Sequence, residues 1–442
     1  MKIPIILFAL ALSFSALSQS NVITVMSNST STPGENTVFA NDGGWCWFSD
    51  PRAIYYENHF KRTYAGWITS TGDIMIGYYD HNQKLIQSKI IMDNLEKDDH
   101  DNPALLMLPD GRLTVFFTKH GGSNPTWMYT MKSPEDISEW DKKELYLNDT
   151  SYYRGFTNEN TYCNPIMLPE ENNRIYLFWR GIDNKPHYSF SDDLGETWSK
   201  GRIFILPERI YSMQRPYVKV ESNHKDKILF AFTDGHPNME KENSIYFMYY
   251  KKGAFFTIDG KEIGKLGDTP VNPEKASLVY NARSTKAKAW IWDVAFDENE
   301  NPVLVFARFP DDSNHIYTWA KWTGSEWILK DLVNSGSWFP SDPKRERNYS
   351  GGIVLDHEDP NTVYLSVKRG AHYEIEMWKA IKGGDAWKVF EITRNSSLDN
   401  VRPFAVRNSG TDNPLQLLWI QNRRYVHYTD FESAVMMNFV NR

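Results

Sequence analysis

The chain has 442 residues, 41% of them apolar and 14% aromatic, with a formal net charge of −7. That apolar share can bury a core and excludes a disordered chain. The negative balance excludes binding a polyanion by bulk attraction, so nucleic acid is not an expected partner and any anionic ligand must be held by a local basic patch.

Residues 1–18 have the make-up of a secretory signal peptide: Lys2, an apolar run from Ile3 to Leu17, and a small-x-small site at Ala16-Leu17-Ser18. The run is too short for a membrane anchor and lacks a stop-transfer flank, and no other stretch is long enough to cross a bilayer. The mature chain is expected to start near Gln19, to be exported to the periplasm or beyond, and to act as a monomer without membrane insertion. Cys46 and Cys163 are the only cysteines. Export permits a disulfide, but two cysteines cannot define a framework, so a single bridge and buried free thiols both stay open; without a Cys-x-x-Cys pair there is no strong zinc motif.

Residues 19–70 are expected to give the early strands of a first sheet, with residues near Ile23 to Met26 pairing with the last sheet to close the ring. A hairpin follows. His100-Asp101-Asn102-Pro103 leads into the apolar run Ala104 to Leu108, the turn Pro109-Asp110-Gly111, a second run Leu113 to Phe117, and Lys119-His120. Pro presets φ and Gly accepts a positive φ, so the turn has a mechanism. Asp110 lies midway between the histidines, and antiparallel strands folded there bring His100 and His120 to one end. The next unit repeats the plan: Tyr162-Cys163-Asn164-Pro165, an apolar run, a turn between Pro169 and Asn173, then Ile175 to Trp179 and Arg180. Aligning the two Asn-Pro steps makes His100 and Tyr162 equivalent.

The apolar second strand recurs at Ile74, Leu113, Ile175, Ile228, Val303, Val363 and Leu415. A spacing of roughly 40–75 residues with turn-rich, helix-poor sequence points to propeller blades. The x-Pro entry also recurs, at Pro103, Pro165, Pro216 and Pro403, where a missing N–H suits a strand start. Ser191-Asp192-Asp193-Leu194-Gly195-Glu196-Thr197-Trp198 matches the Asp-box pattern S-x-D-x-G-x-T-W, with worn copies ending at Trp140, Trp327 and Trp387. The box marks a blade and is silent on chemistry. The expected fold is all-β, one seven-bladed β-propeller over residues 19–442.

Inner-strand ends of a propeller converge on its axis. The fifth position after the start of each second strand gives Arg180, Arg308 and Lys368, and the x-Pro steps add Arg215 and Arg402. Together they would focus positive potential in an acidic protein. A lone histidine at a strand end more often just bonds a carbonyl. A pair facing Tyr162 and Arg180 reads as a site, with histidines that titrate near neutrality and a phenol acidified by the arginine. Tyr217 would border the same pocket. Asp98-Asp99 and Asp234-Gly235-His236 read as turns before they read as metal ligands, and Lys344 to Arg347 as a solvated loop that can touch substrate.

These residues resemble the ulvan lyases of polysaccharide lyase family 25 and, more distantly, family 24. The likeness rests on Asp99-His100-Asp101-Asn102-Pro103, Lys119-His120-Gly121, Tyr162-Cys163-Asn164-Pro165 and Phe178-Trp179-Arg180-Gly181. It implies a secreted enzyme that cleaves an anionic sulfated polymer of rhamnose and uronic acid by β-elimination. His100 and Tyr162 would move protons, Arg180 would neutralise the uronate, and His120 would support the site. Asn102, Asn164, Arg215, Tyr217, Arg308 and Lys368 would bind substrate. The resemblance also allows a structural divalent cation, zinc or calcium, although no ligand set can be matched here and the chemistry needs no cofactor.

The residue types suit such an elimination independently. The C5 proton of a uronate becomes acidic when the carboxylate charge is offset, a base must reach it, and an acid must reach the C4 oxygen. His100 is the expected base and Tyr162 the acid, with the reverse or a shared role open. A sialidase-like glycoside hydrolase would instead need a carboxylate pair or a tyrosine nucleophile with an arginine cluster. A non-catalytic glycan-binding propeller would explain the tryptophans and the basic rim but not the His/Tyr/Arg group.

Overall fold

The computed structural model describes residues 24–27 (backbone), 36–152, 157–207, 214–342, 344, 346–410 and 415–439. The expected signal peptide lies outside them. Seven antiparallel sheets follow one another along the chain, the blades of a β-propeller. The first is built from Ala53–Glu57, Lys61–Ile68, Ile74–Asp80 and Leu85–Met92, and the second from Ala104–Met107, Leu113–Phe117, Thr126–Ser133 and Asp136–Leu145. The third begins with Thr161–Leu168 and Arg174–Arg180, the fourth with Val218–Ser222 and Lys227–Thr233, and the fifth with Lys288–Phe296 and Pro302–Asp311. The sixth begins with Ile353–Leu355 and Thr362–Arg369.

Six of the seven apolar runs are second strands, as expected. Ile74 is the exception: it opens a third strand, because the second strand of that blade, Lys61–Ile68, starts with two charged residues. Second strands are continuously apolar because they pack against blades on both faces; Val303, Leu304, Val305 and Phe306 are all fully buried.

Ring closure differs from the expectation. The seventh blade consists of Asp399–Ala405, Leu415–His427 and Asp430–Phe439, completed by Asn36–Ala40 from the start of the chain. Thr24–Ser27 adds a parallel strand to Ala386–Glu391 of the sixth blade. The earlier strand therefore extends a finished sheet, and the later one supplies the missing edge.

The Asp box forms the turn its sequence encodes. Asp193 accepts from Thr197 N at 2.8 Å, and Trp198 meets the edge of Phe116 in the neighbouring blade at 5.8 Å. In the worn copies at Trp140 and Trp387 the indole N–H donates to the carbonyl three residues back, at 2.9 Å in each.

Between Asn36–Ala40 and the first blade, the chain passes along the propeller axis. Gly43 opens this segment, where a Cβ would stand 2.5 Å from Trp67 Cδ1. Trp45, Trp47 and Phe48 are buried. Innermost elements of several blades hold the segment by its backbone. Arg402 Nη1 donates to Trp45 O (2.5 Å), Asn164 Nδ2 to Phe48 O (2.9 Å) and Lys219 Nζ to Trp47 O (2.5 Å). Asn102 Oδ1 accepts from Cys46 N (3.0 Å), and Asn164 Oδ1 from Asp50 N (3.2 Å). A buried loop is tolerated only when its backbone groups find such partners.

Asn102 and Asn164 thus hold this plug, and neither lines the cavity described below. The expectation that they bind substrate gives way to this structural role. On the other flank of the plug, His357 bridges Glu221 (2.9 Å) and Asp293 (3.0 Å), with Arg407 beside both carboxylates.

Candidate active site

The two hairpins fold as their turns dictate. Met107 pairs with Leu113 across Asp110, and Gly111 takes φ +84°. His100, in the short 3-10 turn Asp99–Asp101, and His120, just past Phe117, stack with ring centroids 3.8 Å apart and planes 17° apart.

In the third blade Asn164 pairs with Phe178, but Thr161 pairs with Arg180, so the register shifts between them. This bulge holds Tyr162 at φ +66°. A left-handed tyrosine costs on the order of 1–3 kcal/mol, and bulges of this kind re-aim a side chain. Here the bulge places the Tyr162 ring 5.7 Å from that of His100 and 4.8 Å from the Arg180 guanidinium carbon. The seventh blade repeats the device: Arg402 sits at φ +52° where the register shifts between Val401 and Phe404.

One carboxylate organises the histidines. Asp98 Oδ1 is 2.5 Å from His100 Nδ1, and Asp98 Oδ2 is 2.9 Å from His120 Nδ1. A carboxylate only accepts, so both Nδ1 atoms carry hydrogen. Burial opposes charge on His100, but Cys46 and Asp98 outweigh it and hold this imidazole well above the usual histidine range. Its Nε2 lies 3.1 Å from Tyr349 Oη, so both ring nitrogens are engaged.

His120 goes the other way. Burial, then the charge on His100, pushes it down to about 3. It is therefore neutral with its lone pair on Nε2. Burial also opposes charge on Asp98, yet His100 and His120 hold its carboxyl far below the carboxylate range. Tyr162 departs from expectation: desolvation and the neighbouring Tyr217 outweigh Arg180, so the phenol is raised well above its ordinary value instead of being acidified.

These groups open into a cavity of about 250 Å³. Arg180 is buried; its Nη1 donates to Tyr217 Oη at 3.1 Å and its Nη2 lies 3.8 Å from Glu159. Three buried N–H groups on the wall have no acceptor among the described residues: Arg180 Nε, Arg215 Nε and Trp290 Nε1. His236 is a further wall residue. Its Nδ1 accepts from Asn238 N at 3.0 Å, and burial with Arg215, Arg180 and Lys288 keeps it well below the usual range. Its proton therefore sits on Nε2.

Arg215 and Tyr217 stand where expected. Arg308 and Lys368 do not. Arg308 reaches outward along its own blade to Thr318 (3.0 Å) and Asp331, and Lys368 is exposed; neither lines the cavity. Equal counts from the strand start give unequal heights, because Arg174–Arg180 ends at its arginine whereas Pro302–Asp311 continues for three residues. Arg402 lies on the axis but inside the protein, 2.6 Å from Asp99 Oδ2. Trp290, Tyr349 and Tyr428 were not expected in the wall; Glu346 comes from the loop expected to touch substrate, but it is buried there and not solvated. Cys46 and Cys163 are free and buried.

Among the described residues, Asp98, His100 and His120 form the group nearest to a metal site. Two atoms bound at about 2.1 Å to one tetrahedral ion stand about 3.4 Å apart. The His-Asp separations of 2.5 and 2.9 Å are hydrogen bonds and do not fit an ion as they stand.

A family model for BNR repeat-containing family members matches residues 62–335, more than half of the chain, and the protein belongs to that family. Within it, the chain is similar to ulvan lyases. It is 23% identical over 427 residues to an ulvan lyase of Nonlabens ulvanivorans, covering 82% of this chain and 84% of that one. It is 22% identical over 332 residues to the ulvan lyase PL25 of Pseudoalteromonas sp. (strain PLSV), covering 65% and 62% of the two chains. The solved structure of a family 25 ulvan lyase bound to -[GlcA(1-4)Rha3S]- superposes with a TM-score of 0.68 at 16% identity, over 92% of this chain and 97% of that one. This likeness shows the fold.

Proposed function

We propose that the protein is an exported polysaccharide lyase that cleaves ulvan by β-elimination at the C4 side of a uronate. The observation that carries the reading is the cavity wall. Arg180, Arg215 and Trp290 present buried N–H groups that have no acceptor among the described residues, beside a neutral histidine and a protonated tyrosine. Buried donors without partners are costly and are satisfied by an acceptor-rich ligand. A uronate carboxylate, with sulfate on the adjoining sugar, is such a ligand. The similarity to ulvan lyases supports the same substrate.

The hydrogen bonds support the following proton roles. His100, doubly engaged and held cationic, has no lone pair to offer and is not the base; with Arg180 it offsets the carboxylate charge that grows when C5 is deprotonated. His120 takes the C5 proton on Nε2. Tyr162 gives its phenolic proton to the C4 oxygen as the C4–O bond breaks and the C4–C5 double bond forms. The His120 imidazolium then gives its proton up to water and the tyrosinate takes one from water, which returns both groups to their starting states. Glu346 is the only carboxyl among the described residues of the wall, which disfavours a hydrolase that needs two.

The test is incubation of the protein with ulvan. Unsaturated, ultraviolet-absorbing oligosaccharides are expected, with Tyr162→Phe lowering their release by about 10²-fold or more. Saturated products would mean hydrolysis, and binding without turnover would mean a lectin-like module.

A further inference from the structure

We infer that Glu346 is a charge gate on the cavity: as a neutral acid it admits an anionic sugar, and as a carboxylate it turns the sugar away. The inference rests on reading the cavity as the seat of an acidic polysaccharide.

Glu346 belongs to the connection between the fifth and sixth blades. That connection is strapped to the end of the second strand of the seventh blade: Ser341 N donates to Tyr425 O (2.9 Å) and Asp342 N to Val426 O (3.1 Å). Past the strap, Tyr349 N donates to Glu346 O (3.1 Å), and Tyr349 Oη meets His100 Nε2. The strap therefore delivers a carboxyl and a phenol to the wall together. The Glu346 side chain is 9% exposed, and its Oε1 is 3.5 Å from His427 Nε2.

The charged and titratable groups around it come from every neighbouring element. Asp98, Asp99 and His100 face it from the turn before the second blade, and Arg402 from the innermost strand of the seventh. Tyr425, His427 and Tyr428 lie at the end of the second strand of that blade, and Tyr349 on its own segment. The cations are already matched, His100 by Asp98 at 2.5 Å and Arg402 by Asp99 at 2.6 Å.

Burial raises the Glu346 carboxyl to about 7 against the pull of His100 and Arg402. Below that pH the side chain offers an O–H to a carboxylate or sulfate. Above it, a second negative charge stands where the substrate must place its own. His120, at about 3, and Tyr162, far above neutrality, do not change charge in this window.

The experiment measures KM and kcat on ulvan for the wild type and Glu346→Gln at pH 6.0 and 8.5. The wild-type KM is expected to rise at least about tenfold between the two. The KM of Glu346→Gln should change less than about twofold, with its pH 8.5 value matching the wild type at pH 6.0. A wild-type KM that is flat with pH overturns the inference, and so does a Gln variant that keeps the wild-type slope. Should Glu346→Gln not fold, Glu346→Ala carries the same comparison, with the same flattening of KM expected and a retained wild-type slope overturning the inference. Absence of unsaturated product from the wild type at any pH is a different result, because it removes the lyase reading itself.

Discussion

His100 and His120 stack 3.8 Å apart on the two oxygens of one carboxylate, Asp98, yet they hold opposite protonation states. Asp98 can stabilise one cation fully, and a second beside it would meet the first. The pair therefore divides into an imidazolium and a neutral imidazole with a free lone pair. Replacing Asp98 by Asn removes the charge that fixes this division. Asp98→Asn is expected to lower kcat by about 10²-fold or more. It should also lower Tm, because a buried imidazolium left unpaired costs about 3–5 kcal/mol. Steady-state kinetics and thermal melts check both.

The cavity, not the count along second strands, defines the basic rim. Arg180→Ala and Arg215→Ala are expected to reduce kcat/KM by about 10-fold or more, since each removes a buried donor facing the substrate. Arg308→Ala and Lys368→Ala should stay within about twofold of the wild type. A large loss at Arg308 or Lys368 would return substrate binding to the positions the strand count suggested.

Asn164 ties the axial segment to the strand that carries Tyr162: its amide meets Phe48 O, Asp50 N and Tyr162 O. Asn164→Ala leaves those buried groups without partners and is expected to cost about 1–3 kcal/mol in denaturant unfolding. Because the Tyr162 carbonyl loses its restraint, kcat should fall as well. Unchanged stability would show that the plug is held elsewhere.

Buried neutral histidines set the acid limit. His187 and His315 are pushed down by burial to about 4 from an ordinary value of 6.5. A depressed folded value gives stability that is present above the unfolded value and lost as pH falls through the folded one. Stability should therefore drop between pH 6.5 and 4, by about 3 kcal/mol for His187 alone. His100 and His357 are raised, so their contribution is full below 6.5 and declines as pH rises through their folded values. A maximum near pH 6.5 in urea-derived stability is expected, with His187→Gln flattening its acid side.

Much of this protein was legible in one dimension. Turn residues at Pro109-Asp110-Gly111 and at Pro169 to Asn173 set hairpin register, which brings His100 and His120 to one end and Tyr162 and Arg180 to one end; the bulge that turns the Tyr162 ring toward Arg180 is not written in that register. Recurrent apolar runs gave the blade number because a strand packed on both faces must be apolar throughout. Such features are local: backbone sterics and a period of two suffice to write them.

What only the folded chain decided concerns electrostatics and close packing at the axis. No local pattern says that Asn36–Ala40 closes the ring, that Trp45 to Asp50 fill the centre, or that Asn102 and Asn164 serve that filling. The protonation of Tyr162 turned on desolvation, a sum over surrounding atoms from several blades, and burial there outweighs the one arginine visible in sequence. Glu346 reached the cavity because its loop is strapped to a strand some 80 residues further along. Charge states and buried partners depend on distance in space, and ring closure sets those distances.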